Sequence, residues 1–196
     1  MTTLVGIQGK GWAGIACDSR ATEGPRPYTL PKEVCKIIKN GPYLIGVTGD
    51  LSSISLIEYS FQPSAPQTDI SIKELDRFIT TVFIPEYKDF LKETSLNTKE
   101  DADISVPGLL ILINGVIYDI DSALTWLRDP SGIYAEGSGD SYAHGSLLSS
   151  IKGKVSDLDI AEAKMIMREA ITNAIKLDLQ TGPPIHTFIQ LSKTKK

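Results

Sequence analysis

The chain has 196 residues, enough to bury a substantial core within one domain. Its 41% hydrophobic and 22% charged residues are ordinary for a globular protein. A net charge of −4, with basic residues grouped only at Lys193-Thr194-Lys195-Lys196, speaks against nucleic acid as the main partner. No apolar run approaches the ~20 residues of a membrane span, and no signal-peptide pattern opens the sequence. A cytoplasmic chain without membrane partners is therefore expected. Cys17 and Cys35 lie in apparent strands and read as reduced core thiols rather than a disulfide framework. His144 and His186 have no HxxxH or CxxC companions, so neither a metal nor another cofactor is expected.

Residues 2–8 and 12–18 read as two strands joined by Gly9-Lys10-Gly11, a three-residue hairpin loop. Residues 22–33, with three prolines and a glycine, predict an irregular excursion. Strands follow at 34–39 and 42–48 around Asn40-Gly41. Asp50 caps a short helix over 51–61, with Leu51, Ile54, Ile57 and Phe61 at helical spacing. The apolar positions from Ile72 to Leu91 recur at steps of three and four and predict an amphipathic helix kinked at Pro85. A polar loop at 95–106 leads to strands at 108–113 and 116–121, split by Asn114-Gly115. GSGDSYAHG at 137–145 carries a short strand into a helix, and Ser156-Asp157-Leu158-Asp159 reads as a capping box opening a helix to about Leu177. A last strand spans 185–191. Hairpin-paired strands with clustered helices favour an antiparallel α+β layered fold over a doubly wound one.

Two features of the first 22 residues compete for a chemical role. GKGWAG at 9–14 matches a dinucleotide fingerprint, but that motif needs a helix after the glycines, and IACD continues as strand. The glycines are hairpin glycines. Thr2 offers more. Removal of Met1 would give it a free α-amine beside its own hydroxyl. Such an amine has an ordinary pKa of about 7.7–8.0 and can act as a base near neutrality. With Gly9-Lys10-Gly11 as the turn, paired residue numbers sum to 20, which sets Thr2 opposite Asp18.

Several motifs in order, TTLVGIQ and GIACDSRAT at the start, LIGVTGD at 44–50, GSGDSYAHG, and DLQTG at 178–182, resemble proteasome β-type subunits and bacterial HslV-like peptidases. The match runs over nearly the whole chain, and short forms without a propeptide, bacterial or phage-type, are its nearest likeness. The resemblance implies a four-layer αββα sandwich of two antiparallel sheets flanked by helices, the N-terminal-nucleophile hydrolase fold. Residues 1–192 would form the single domain and 193–196 a basic tail. It implies a threonine-type endopeptidase that hydrolyses peptide bonds inside a self-compartmentalised homo-oligomeric ring. Peptides or unfolded proteins would be substrates, and an unfolding ATPase is a possible partner. The absence of an N-terminal extension points to a β-type rather than an α-type subunit.

Carried over residue by residue, Thr2 is the nucleophile and its amine the base. Asp18 holds a lysine ammonium, the Gly46 N–H forms the oxyanion hole, and Ser138, Asp178 and Thr181 form the polar network around the amine. Arg20, Ala21, Thr22, Leu44 and Thr48 line the substrate cleft. For the lysine, the Asn40-Gly41 hairpin as anchor selects Lys36. Lys32 is the reserve two residues earlier, whereas an ungapped count ends near Glu33 and would leave the chain inactive. A non-catalytic shell or scaffold protein and a small-molecule amidase of the same nucleophile group are the rival readings.

Overall fold

Short apolar strands broken by Gly and Asn turns, rather than βαβ units, dominate the first and middle parts of the chain, and the architecture follows from that. The structure, a computed structural model, describes residues 2–94 and 106–195. The polar stretch read as a loop at 95–106 therefore lies, Val106 apart, outside the described residues. One antiparallel sheet has the order β10-β1-β2-β11, from β1 (Thr3–Gly9), β2 (Trp12–Cys17), β10 (Ile133–Gly137) and β11 (His186–Leu191). The second has the order β5-β6-β7-β8-β9, from β5 (Ile37–Asn40), β6 (Tyr43–Val47), β7 (Leu109–Ile113), β8 (Val116–Ile120) and β9 (Trp126–Leu127).

Strand alternation gives each sheet two apolar faces. Leu4, Ile15 and Cys17 of the first sheet meet Ile37, Leu44, Leu110, Leu112 and Ile117 of the second. On its other face the first sheet packs Val5, Ile7 and Ala16 against α4 (Asp140–Ser150) and α5 (Ile160–Leu177), through Ala143, Leu147, Ala163, Met167, Ala170 and Ala174. The second sheet turns Tyr43, Ile45, Ile111 and Tyr118 towards α1 (Leu51–Ser60), α2 (Ile72–Phe78) and α3 (Ile84–Glu93). The result is the expected α+β sandwich of four layers.

Local departures from the sequence reading have identifiable causes. In the first hairpin Gly9 stays in the ladder opposite Trp12, and Lys10-Gly11 alone form the turn, with Gly11 at φ 82°. A Cβ on Gly9 would collide with the Trp12 ring, so its glycine serves close packing and not turn geometry. Paired numbers consequently sum to 21, and Thr3 rather than Thr2 faces Asp18: the Asp18 N–H donates to Thr3 O at 3.2 Å. The excursion at 22–33 contains a second small hairpin, β3 (Arg20–Glu23) with β4 (Arg26–Thr29), turned by Gly24-Pro25. Pro27 fits because this two-stranded ribbon is all edge, where a missing N–H is tolerated. β5 begins only at Ile37, so Lys32 and Lys36 do not share a strand.

Asn40 pairs with Tyr43, which makes Gly41-Pro42 the turn in place of Asn40-Gly41. The helix expected to kink at Pro85 contains a π turn at Ile79–Phe83, where the Ile84 N–H reaches the Ile79 carbonyl five residues back. Pro85 has no N–H to donate, and the wider turn accommodates the break. The cap of α5 is Asp159, whose carboxylate accepts the Glu162 N–H at 2.8 Å, while Ser156 sits in a separate 3₁₀ turn at Val155–Asp157.

Phe61, Phe83, Tyr87 and Phe90 form an aromatic cluster under the second sheet, with ring centroids 5.0–6.3 Å apart. Phe83 is wholly buried at the π turn and also meets the Tyr43 ring at 5.4 Å. Phe83→Ala is expected to lower stability by about 3–5 kcal/mol, through lost burial and an unfilled cavity, as read from urea unfolding.

Candidate active site

The site assembles where the end of β2, the segment before β5, the turn into α4 and the turn after α5 converge on the start of β1. Asp18 is its centre. The side chain is wholly buried, and its two oxygens accept four donors. Oδ1 takes the Lys36 ammonium at 2.7 Å and the Thr3 N–H at 3.0 Å. Oδ2 takes the Arg20 N–H at 2.9 Å and the Gly182 N–H at 3.0 Å. A buried carboxylate is tolerable only when charge and lone pairs are both answered, and here they are. Lys36 is itself wholly buried. Lys32 and Glu33 are both exposed, so the cation at Asp18 comes from Lys36.

A second network approaches from the helical side. Asp178 caps the end of α5, and its Oδ2 accepts the Ser138 hydroxyl at 2.8 Å and the Thr181 hydroxyl at 2.5 Å. With the Thr181 proton committed there, Thr3 Oγ1 is the donor in its 2.5 Å contact with Thr181 Oγ1. Burial pushes the Asp178 carboxyl up. Hydrogen bonds from the Thr181 hydroxyl, the Gln180 N–H and the Ser138 hydroxyl, with the nearby Lys36 charge, outweigh it and hold the group below the usual carboxylate range. Ser138 also ties down the chain start, its N–H donating to Thr2 O at 2.8 Å. The GSG turn is glycine-rich because β1 passes so close. A Cβ on Gly137, at φ 98°, would overlap the Thr2 carbonyl, and one on Gly139 would meet the Thr3 hydroxyl.

Thr2 is 3% exposed and Thr3 wholly buried. The sequence reading passed over Thr3, yet Thr3 joins the two networks, through its amide to Asp18 and its hydroxyl to Thr181. No local sequence signal marks it, because packing of the Trp12 ring at Gly9 sets the register that brings Thr3 to Asp18. Because the Thr3 amide closes the peptide bond from Thr2, the Lys36–Asp18 pair stands beside the linkage that carries Thr2. Arg20 extends Nη1 to the Leu179 carbonyl at 2.9 Å, bracing the turn that presents Thr181 and Gly182.

The remaining residues singled out in the sequence are spread more widely. Ala21, buried, and Thr22, half-buried, lie on β3 directly after Arg20, paired with Tyr28 and Pro27. Gly46 lies inside β6 between Ile37 and Leu110. Thr48 follows β6 and donates both its N–H and its hydroxyl to Gly108 O, at 3.0 and 3.1 Å. Leu44 is not brought to the site. It packs between the sheets and borders a separate cleft with Lys39, Pro42 and Gln190. His144 is exposed on α4, and no three His, Cys, Asp or Glu side chains cluster as metal ligands among the described residues.

Two predictions follow from these charges. Asp18→Ala leaves a buried ammonium without its carboxylate and should destabilise the chain by about 3–5 kcal/mol in urea unfolding. The neutral pair Asp18→Asn with Lys36→Met should recover most of that loss. Just before the GSG turn, burial and then the charge of Asp119 hold the Glu136 carboxyl up at about 7, against an ordinary 4.5. Between those values the unfolded chain releases a proton that the folded chain keeps, so stability falls as pH rises through this window. Urea midpoints should be higher at about pH 5 than at about pH 8, and Glu136→Gln should flatten that difference.

No protein-family model and no curated protein sequence matches this chain. Solved structures do. Thiobacillus denitrificans BPH in complex with epoxomicin superposes with a TM-score of 0.75 at 23% identity, covering 97% of this chain and 98% of that one. A second structure of Thiobacillus denitrificans BPH gives 0.73 and 24% with the same coverage. Eukaryotic HslV from Trypanosoma brucei gives 0.66 at 19% identity, covering 100% of both chains. End-to-end superposition at such low identity is a statement about architecture: the chain shares the four-layer αββα fold of BPH and HslV.

Proposed function

We propose that this protein is a threonine-type endopeptidase whose nucleophile is the hydroxyl of Thr2, exposed by removal of Met1. The observation that carries the reading is the wholly buried Asp18–Lys36 pair, at 2.7 Å, on the same carboxylate oxygen that holds the Thr3 amide. A buried ammonium favours deprotonation of a neighbouring amine and hydroxyl, which is what an N-terminal threonine needs in order to attack near neutral pH. The amide and hydroxyl of Thr3 are both committed to the scaffold, so Thr3 anchors the strand and Thr2 is left for chemistry. The likeness of fold to BPH, solved with epoxomicin bound, and to HslV supports the same reading.

In this mechanism Thr2 Oγ attacks the peptide carbonyl while its own α-amine takes the hydroxyl proton. A main-chain N–H at the oxyanion is worth about 2.7–4 kcal/mol in comparable sites. The amine passes the proton to the leaving amine of the substrate, giving an ester on Thr2. Water, deprotonated by the same amine, then cleaves that ester. Ser138, Asp178 and Thr181 hold the amine and its water in place, and Arg20, Ala21, Thr22 and Thr48 flank the substrate.

The substrates are peptides or unfolded proteins. The chain works within a homo-oligomeric ring in the cytoplasm, with an unfolding ATPase as a possible partner. Exposed Leu148 and Met165 on the outer helices suit burial between subunits. No described helix is long and apolar enough to cross a membrane.

Intact mass before and after a β-lactone acylating agent tests the nucleophile. The expected result is loss of Met1 and one acyl adduct, absent in Thr2→Ala. An intact Met1, or equal labelling of both forms, would overturn the assignment. Peptide hydrolysis should fall by at least about 10³-fold in Thr2→Ala and by at least about 10²-fold in Lys36→Ala, while Thr3→Ser retains most of it.

A further inference from the structure

Two thiols flank the central ion pair, one at the end of a strand of the first sheet and one in the segment leading into the second. Cys17 ends β2 and immediately precedes Asp18, and Cys35 immediately precedes Lys36 just ahead of β5. Their sulfurs lie 3.7 Å apart, and both are free. Cys17 is wholly buried between the sheets, whereas Cys35 is half-buried. Cys35 Sγ also accepts the Ile37 N–H at 3.4 Å.

We propose that Cys17 and Cys35 form a peroxide-responsive dithiol, with Cys35 the attacking thiol and Cys17 the resolving one, whose disulfide clamps the two sheets beside the Asp18–Lys36 pair. The division of labour follows from the surroundings. A hydrogen bond from the Cys17 thiol lowers Cys35. Burial opposes this, the Ile37 N–H and the Lys36 charge assist, and Cys35 settles at about 7. Cys17 is pushed up by the same hydrogen bond and by burial, so it stays a thiol until its partner has reacted.

In the first step Cys35 thiolate attacks one oxygen of hydrogen peroxide. The O–O bond breaks, and hydroxide leaves with its electron pair, giving a sulfenic acid. The Cys17 sulfur then attacks the Cys35 sulfur. An S–S bond forms, the S–O bond breaks, and the departing oxygen takes the Cys17 proton as water. Two thiols are oxidised by two electrons, and one peroxide is reduced.

Closing the gap to the ~2.05 Å of an S–S bond draws together the backbone on which Asp18 and Lys36 sit. A wholly buried ion pair held at 2.7 Å has no solvent to absorb such a displacement. The effect on hydrolysis rests on the peptidase reading; the thiol chemistry does not.

The test is intact mass of the full chain after a few equivalents of hydrogen peroxide, with peptide hydrolysis measured on the same samples. Wild type should lose about 2 Da, yield a cross-linked 17–35 peptide, and revert with dithiothreitol. Cys17→Ser should instead gain about 16 Da at Cys35, trappable by dimedone, and Cys35→Ser should leave Cys17 unmodified. Hydrolysis by the oxidised wild type should be at least about 10-fold slower and should recover on reduction. An unchanged mass, or cross-links only between chains, overturns the dithiol. Equal hydrolysis by oxidised and reduced forms overturns its coupling to the site. If the reduced protein cleaves nothing and still loses about 2 Da, the peptidase reading fails and the dithiol stands.

Discussion

The whole arrangement at the start of the chain depends on one buried carboxylate. Asp18 accepts from the Lys36 ammonium and from the amides of Thr3, Arg20 and Gly182, so it ties together β1, β3, the segment before β5 and the turn after α5. A charge this deep tolerates no missing partner, which makes each of those segments a condition for the others. The same demand explains why the lysine is wholly buried although its neighbours Lys32 and Glu33 are exposed. A charged pair between two apolar sheets contributes less to stability than to fixing one arrangement, and that arrangement places a cation beside the peptide bond of Thr2.

The Asp178 network works from the opposite side and is half open to solvent. Three donors hold its carboxylate as an anion, and two of them also grip the segment at β1: Ser138 reaches the Thr2 carbonyl and Thr181 the Thr3 hydroxyl. The first strand is therefore gripped by two anions that do not touch each other. Gly137 and Gly139 allow this because any side chain at either position would strike Thr2 or Thr3. Thr2 and Thr3 are thereby held rigidly between the two networks.

Much of this was legible in the residues. Periodicity together with turn and cap residues located the strands around Gly11, Gly41 and Gly115, the helices after Asp50 and Ser71, and the antiparallel α+β class. The order of the motifs around Asp18, Gly46, Ser138 and Asp178 suggested which residues to bring together, and Asp18, Lys36, Ser138, Asp178 and Thr181 do converge around Thr2 and Thr3. What stayed hidden was register. Gly9 and Gly11 look alike in sequence, but packing of the Trp12 ring against Gly9 moves the turn by half a residue, and Thr3 replaces Thr2 opposite Asp18. Pairing in a ribbon has a period of two, so such a slip decides which side chain faces which.

The sequence by itself determined the layered architecture and the identity of the charged groups, because apolar spacing and turn residues act over a few neighbours and need no tertiary context. The tertiary structure alone decided that Lys36 meets Asp18, that Thr3 bridges two networks, and that Cys17 and Cys35 lie 3.7 Å apart. Each of those contacts joins residues from different strands or turns across the sandwich. Their distances are set by how the sheets and helices pack, a property that no local pattern encodes.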